Sequence, residues 1–190
     1  AAALLLSRPA FAADLVNVAP FGTATQSTDY NAALYPASAG IDGVLTNANC
    51  THTNGGDPAP AWQVDLGKDY PINRIVLSNR IGCCPERLRD ITVWILEGDG
   101  ATVVYESALL NELNSLGGPA TLEVDLDLEE GGPLTGQIVR VTRTPDPTGG
   151  LNEHDASVIS LAEVEVFADR AALPPAIQTQ PVGGKKYTGG

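Results

Sequence analysis

The sequence has no methionine, two histidines, three cysteines, and 11 lysines and arginines against 23 aspartates and glutamates, for a formal charge of −12. Each scarcity excludes something. Neutralising a phosphate backbone takes clustered cations, so no nucleic acid is expected as a partner, and an anionic membrane surface is equally unsuited. His154-Asp155 reads as a solvated pair and not as a zinc site, since no second histidine lies nearby. An odd number of cysteines cannot all pair within one chain. If Cys83 joins Cys84, Cys50 stays free or joins another molecule, and an oxidising compartment is expected. Catalytic signatures are missing as well: there is no G-x-S-x-G, no H-E-x-x-H, no P-loop and no strand-to-helix G-x-G-x-x-G. The carboxylate pairs Glu129-Glu130 and Glu163/Glu165 are not spaced for acid/base work across a cleft. The chain therefore reads as a binding protein and not an enzyme.

What is present favours strands. Fourteen prolines and 20 glycines leave little room for long helices, and helical periodicity is nearly absent, so the expected class is all-β. Alternating or apolar runs predict an entering strand at Leu15 (L-V-N-V-A), then Ala61 to Leu66, Ile72 to Ser78, Ile91 to Leu96, Thr102 to Tyr105, Thr121 to Leu128, Ile138 to Thr144 and Leu161 to Phe167. About eight short strands separated by Gly-, Pro- and Asp-rich turns make a sandwich or jelly roll. A short helix is expected over Ser107 to Leu113, and the stretch from Asp29 to His52 reads as long loops.

The domain boundaries follow composition. Residues 1–14 form an apolar segment whose Ala1 to Ala13 resembles the end of a secretory signal, with an A-F-A cleavage pattern, and is too short to span a bilayer. Residues 15–168 form the domain. Residues 169–190, rich in proline and glycine, read as an extended tail. A secreted, extracellular protein is expected.

One stretch carries the chemistry. Asn79 to Arg89 reads N-R-I-G-C-C-P-E-R-L-R and sets Arg80 and Arg87 on either side of Cys83-Cys84. A bridge between neighbouring cysteines closes a small ring with backbone geometry that few turns need. Guanidinium forks donate paired hydrogen bonds to oxygens held at fixed spacing, and a flat disulfide offers an apolar seat for the C–H face of a sugar. His52, in C-T-H-T, can donate to or accept from a hydroxyl without the desolvation cost of a full charge. A second candidate is a hard-cation site. The turn Gly40-Ile41-Asp42-Gly43, with loop carbonyls and a carboxylate from the last strand, would give Ca²⁺ an oxygen shell. Asn49-Cys50-Thr51 matches a glycosylation sequon.

The run R-I-G-C-C-P-E-R from Arg80 to Arg87, preceded by His52 and W-Q-V-D-L, resembles the F-type lectin (fucolectin) family. N-V-A near Asn17, A-T-Q-S at Ala24 to Ser27, G-I-D-G at Gly40 to Gly43 and A-E-V-E-V before Phe167 resemble it too. The resemblance implies a jelly-roll β-sandwich that binds L-fucose or a related sugar on fucosylated glycans. His52, Arg80 and Arg87 would be its polar contacts, with Cys83-Cys84 as the apolar seat. It also implies a structural Ca²⁺, with carbonyls from Asp42, Val44 and Asn49 and a side-chain carboxylate from Glu163. Three features depart from the family pattern. Gly82 stands where the family has Asp, Ala162 where a partner for Cys50 would be, and Asn47 and Ala48 where bulkier aromatic contacts are usual. The competing expectation is a structural subunit of an extracellular filament, in which the apolar N-terminal segment adds a strand to a neighbouring copy and the lectin site is degenerate.

Overall fold

The computed structural model describes residues 14–127, 132–146 and 157–173. The N-terminal segment Ala1 to Ala13, the pairs Glu129-Glu130 and His154-Asp155, and the tail beyond Leu173 lie outside them. The described elements are eight strands: β1 (Leu15–Asn17), β2 (Thr23–Gln26), β3 (Ala61–Asn79), β4 (Ile91–Leu96), β5 (Val103–Glu106), β6 (Thr121–Asp125), β7 (Leu134–Arg143) and β8 (Leu161–Asp169). Short 3₁₀ turns link them, and every strand pair is antiparallel.

The long strand β3, 19 residues, organises the sandwich. Its first part, from Ala61, lies between β2 and β7, and β7 continues to β4 and β5. Its second part, ending at Asn79, lies between β6 and β8, and β8 continues to β1. One strand thus belongs to two layers. The apolar side chains that alternate along each strand meet between the layers in a single cluster: Trp62, Val64, Ile75 and Leu77 from β3, Ile91, Val93 and Ile95 from β4, Leu122 and Val124 from β6, Val139 and Val141 from β7, and Val164 and Val166 from β8. Gly136 lets β7 approach β4, since a Cβ there would run into Ile95 Cγ2.

Four local expectations change. The two strands expected at Ala61 to Leu66 and Ile72 to Ser78 are one strand with an irregularity between Asp65 and Tyr70, where Gly67 takes φ +75° and its N–H is held by Asp65 Oδ1 at 2.8 Å. The polar run after Leu15 contributes β2, because its edge position leaves one face of Thr23 to Gln26 in solvent. Instead of a helix over Ser107 to Leu113, Leu110 bridges to Ile91, and Asn111, Leu113 and Asn114 take left-handed conformations. Ser107 Oγ accepts from Val93 N–H at 2.9 Å, and Asn111 Nδ2 donates to Leu88 O at 2.6 Å. These side-chain bonds to backbone offer an alternative to the helical ladder. Finally, the folded chain runs past Ala168: β8 continues to Asp169, Arg170 pairs with Asp14 at 2.6 Å, and Leu173 packs into the core.

The segment Cys50 to Thr53 is fixed against the approach to β8. Thr51 N–H donates to Leu161 O at 2.8 Å and Thr53 N–H to Ile159 O at 3.0 Å. The two hydroxyls return the bond, Thr53 Oγ1 accepting from Ile159 N–H and Thr51 Oγ1 from Leu161 N–H. His52, between the two threonines, is thereby set at the end of the layer where β3 finishes and β8 begins.

Candidate functional site

His52 has a defined tautomer. Its Nδ1 lies 2.6 Å from Thr53 O, and a carbonyl only accepts, so Nδ1 carries the hydrogen. Nε2 is then an acceptor, and Arg87 Nη1 donates to it at 3.0 Å. The imidazole is neutral in this arrangement. Arg87 is set by the turn Pro85–Arg87, which closes with Arg87 N–H donating to Cys84 O at 3.1 Å. Cys84 adopts φ 56°, the left-handed region, and is bridged to Cys83. Asn79 Nδ2 anchors this loop by donating to Pro85 O and Pro119 O, both at 2.8 Å.

Five residues expected from the sequence, His52, Arg80, Cys83, Cys84 and Arg87, line one cavity of about 310 Å³ together with Tyr30, Tyr35, Gly55 and Val158. Tyr30 and Tyr35 are the residues that sequence reasoning missed. The Tyr30 ring lies 4.7 Å from the His52 ring and the Tyr35 ring 5.5 Å, and the Arg80 guanidinium lies 5.4 Å from the Tyr35 ring centre. Tyr30 is 59% exposed, an open aromatic face beside a buried imidazole. The available signal was the pair of tyrosines in D-Y-N-A-A-L-Y, unusual in a chain with only 5% aromatics. Gln26 holds this wall from behind. Its Nε2 lies 2.6 Å from Asp29 Oδ1, 3.2 Å from Tyr35 O and 3.3 Å from His52 O.

The departures from the family motif have structural counterparts. Gly82 takes φ +84°, and a Cβ on it would meet the Asn47 side chain at 3.0 Å, so the two altered positions occupy each other's space. Cys50 is free and fully buried, as is Ala162. Burial pushes the Cys50 thiol above its usual pKa, although Arg80 and Arg87 act in the opposite direction.

Of the four residues expected around calcium, Val44 presents the expected carbonyl to this loop, whereas Asp42 enters it through its carboxylate, Asn49 through its side-chain amide, and Glu163 reaches it at Gly43. Glu163 is fully buried on β8, and its Oε2 accepts from Gly43 N–H at 3.1 Å. Asp42 Oδ1 accepts from Val44 N–H at 2.8 Å. Asn49 Nδ2 lies 3.0 and 3.1 Å from the two Asp42 carboxylate oxygens, 2.9 Å from Val44 O and 3.5 Å from Ala39 O. Four oxygens thus surround an amide that has only two hydrogens to give, a donor set suited to a hard cation. Ala39 is a member of this oxygen cluster that sequence reasoning did not find. The same contacts engage the amide nitrogen that the sequon would have to offer.

A family model described as a NedA-like, galactose-binding domain matches residues 39–124. Fucolectin-6 of Anguilla japonica is 38% identical over 91 residues, which cover 44% of this chain and 48% of that protein. The chain thus spans about half the length of that relative. A histidine mutant of the lectin binding domain of Lectinolysin, complexed with Lewis b, superposes with a TM-score of 0.65 at 27% identity, over 83% of this chain and 99% of the other. Fucolectin-1 of Anguilla japonica aligns far more completely, at 32% identity over 163 residues that make up 80% of each protein. At more than 30% identity over four-fifths of both proteins, that likeness shows that the chain belongs to the fucolectin (F-type lectin) family.

Proposed function

We propose that this protein is a lectin that holds L-fucose or a related sugar on fucosylated glycans and does no chemistry on it. One observation carries the reading: two guanidinium groups, a neutral imidazole, a bridged cysteine pair and two tyrosines line a single cavity of about 310 Å³. The Nη atoms of Arg80 and Arg87 are donors, and His52 Nε2 is an acceptor already paired with Arg87. A sugar hydroxyl both donates and accepts, so it can enter between His52 and Arg87. The disulfide and the tyrosine rings offer apolar surface to the C–H face. Each charge-assisted hydrogen bond contributes about 1.5–3 kcal/mol. Desolvation and lost motion offset most of this, so a single sugar is expected to bind at roughly micromolar to millimolar strength. The family membership and the Lewis b carried by the structural neighbour support this reading. They give the filament alternative no support, and its N-terminal segment lies outside the described residues.

In the same reading, Asp42, Val44, Asn49 and Glu163 hold a structural Ca²⁺, with Ala39 O beside them. Bound there, the ion would neutralise the buried Glu163 carboxylate and tie the loop to β8. The serum fucolectin of striped bass among the structural neighbours supports a secreted, extracellular protein. The test is a glycan array probed with the intact chain and with Arg80→Ala and Arg87→Ala. Fucosylated glycans retained by the native chain and lost by both variants is the expected result. An array on which the native chain retains no glycan overturns the proposal.

A further inference from the structure

Three steps in the chain set a carboxylate or carboxamide side chain directly before glycine: Asp42-Gly43, Asn54-Gly55 and Asp99-Gly100. At such a step the glycine amide nitrogen can reach the carbonyl carbon of the preceding side chain, because no Cβ obstructs the approach. Whether it does so depends on where that N–H is engaged. Gly43 N–H donates to Glu163 Oε2 at 3.1 Å, and Gly100 N–H donates to Glu97 O at 3.0 Å. Asp99 is held as well. Its carboxylate accepts from the Thr102 hydroxyl and from the Thr102 and Ala101 N–H groups, which lower its pKa to about 2, and an ionised carboxylate resists attack by nitrogen.

Asn54-Gly55 differs. Asn54 is exposed, and neither its carboxamide nor the Gly55 N–H has a hydrogen-bond partner among the described residues. The amides on both sides are occupied. Thr53 N–H donates to Ile159 O at 3.0 Å, Asn54 N–H to Thr28 Oγ1 at 2.9 Å and Gly56 N–H to Ser157 Oγ at 2.9 Å. The reacting pair thus lies open within a loop pinned at each end, and half-buried Gly55 lines the sugar cavity.

We propose that Asn54-Gly55 is a site of spontaneous deamidation whose isoaspartyl product deforms the wall of the sugar cavity. The Gly55 nitrogen gives its proton to water and bonds to Asn54 Cγ, the bond from Cγ to the side-chain nitrogen breaks, and ammonia leaves. Water then opens the five-membered imide at either carbonyl. Opening at Cγ yields aspartate; opening at the backbone carbonyl yields isoaspartate, whose main chain runs through Cβ and is one carbon longer. With Thr53, Asn54 and Gly56 pinned, the added carbon is taken up at Gly55, in the cavity wall. The consequence for the sugar rests on the lectin reading above; the modification does not.

The experiment ages the full chain in mildly alkaline buffer and follows it by peptide mass spectrometry and isoaspartyl methyltransferase labelling. The Asn54 peptide is expected to exchange NH2 for OH and take the label, while the peptides carrying Asp42-Gly43 and Asp99-Gly100 stay unlabelled. Aged Asn54→Gln should stay unlabelled too, since its longer side chain would have to close a six-membered ring. A displaced wall that costs the worth of one net hydrogen bond predicts that the labelled fraction binds L-fucose about fivefold more weakly by calorimetry. Aged Asn54→Gln and fresh Asn54→Asp, which carries the new charge on a chain of normal length, should keep the native Kd. An Asn54 peptide that stays intact while a free peptide of the same sequence converts overturns the inference. An equal loss of affinity in fresh Asn54→Asp overturns the role given to the longer main chain. Unchanged affinity of the labelled fraction overturns the effect on the cavity and leaves the lectin reading intact. If the fresh native chain binds no L-fucose, the lectin reading fails with that effect, and the mass result alone decides the modification.

Discussion

Two loop clusters hang from the same short segment, and they have opposite polarity. At His52 the cavity is built of donors, with Arg80 and Arg87 beside a neutral imidazole. At Asn49 the loop is built of acceptors, with Asp42, the Val44 and Ala39 carbonyls and, across to β8, Glu163. Cys50 lies between them, buried and free. A chain with formal charge −12 thus carries a cation-rich pocket next to an oxygen-rich one. Net charge decides which large partners a protein repels. The local sign of a few side chains, held at fixed spacing, decides what small ligand a site accepts.

The contrast can be broken most forcefully from the donor side. Arg87→Ala removes the guanidinium from the sugar cavity and the hydrogen bond to His52 Nε2. The expected loss in L-fucose affinity is about 10- to 150-fold by calorimetry, with the melting temperature little changed. Survival of native affinity would remove Arg87 from the site.

On the acceptor side, a chelator is the sharper tool. If the loop holds Ca²⁺ at a concentration about a hundred times its Kd, removal costs about 2.7 kcal/mol, which lowers the melting temperature by roughly 5–10 °C. Glu163→Gln should start from a lower melting temperature and show little further response to chelator or added Ca²⁺. An unaltered melting curve for the native chain in chelator would separate the oxygen cluster from metal binding.

A smaller effect joins the two walls. Gln26 does not itself line the sugar cavity but contacts Asp29 and the backbone carbonyls of two lining residues, Tyr35 and His52, with one nitrogen. Gln26→Ala is expected to weaken L-fucose binding about threefold to tenfold, since a net hydrogen bond is worth about 1 kcal/mol. Gln26→Glu should behave similarly at neutral pH, where a carboxylate faces Asp29 and two carbonyls. It should recover in acid, when a protonated carboxyl regains a donor. The ratio of variant to native Kd at each pH is the readout.

The smallest expected effect lies at the base of the loop. Burial alone would raise the pKa of Asp57, but hydrogen bonds from Ser27 Oγ, the Ala59 N–H and Thr28 Oγ1 outweigh it and hold the carboxyl below its usual value. Because the folded pKa is the lower one, the stabilisation is present above the unfolded value of about 4 and fades as pH falls through the folded one. Asp57→Asn should flatten that part of the acid-unfolding curve without altering affinity at pH 7.

Much of this was legible in the residues. Alternation located strands such as Ile91–Leu96 almost to the residue, because a half-buried strand must put every second side chain in the core. R-I-G-C-C-P-E-R gave Arg80, Cys83, Cys84 and Arg87 together, since a turn fixes near neighbours within reach of one another. Less legible was the single β3: Gly67 and Pro71 read as the end of one strand and the approach to another, yet pairing with β7 resumes at Tyr70 and carries the chain through. Leu173 looked like tail because one apolar residue among prolines has no period to detect, and it is buried by surfaces far away in sequence.

By itself the sequence determined the all-β class, the strand pattern and the chemical content of the donor turn, for these depend on spacing along the chain. The folded structure alone decided that Tyr30 and Tyr35 stand beside His52 and that Ala39 O joins Asp42 around Asn49. Ala39 and Asp42 lie 10 and 7 residues from Asn49 in a stretch with no period to read, so only the folded path of that loop, pinned to β8, brings these groups together.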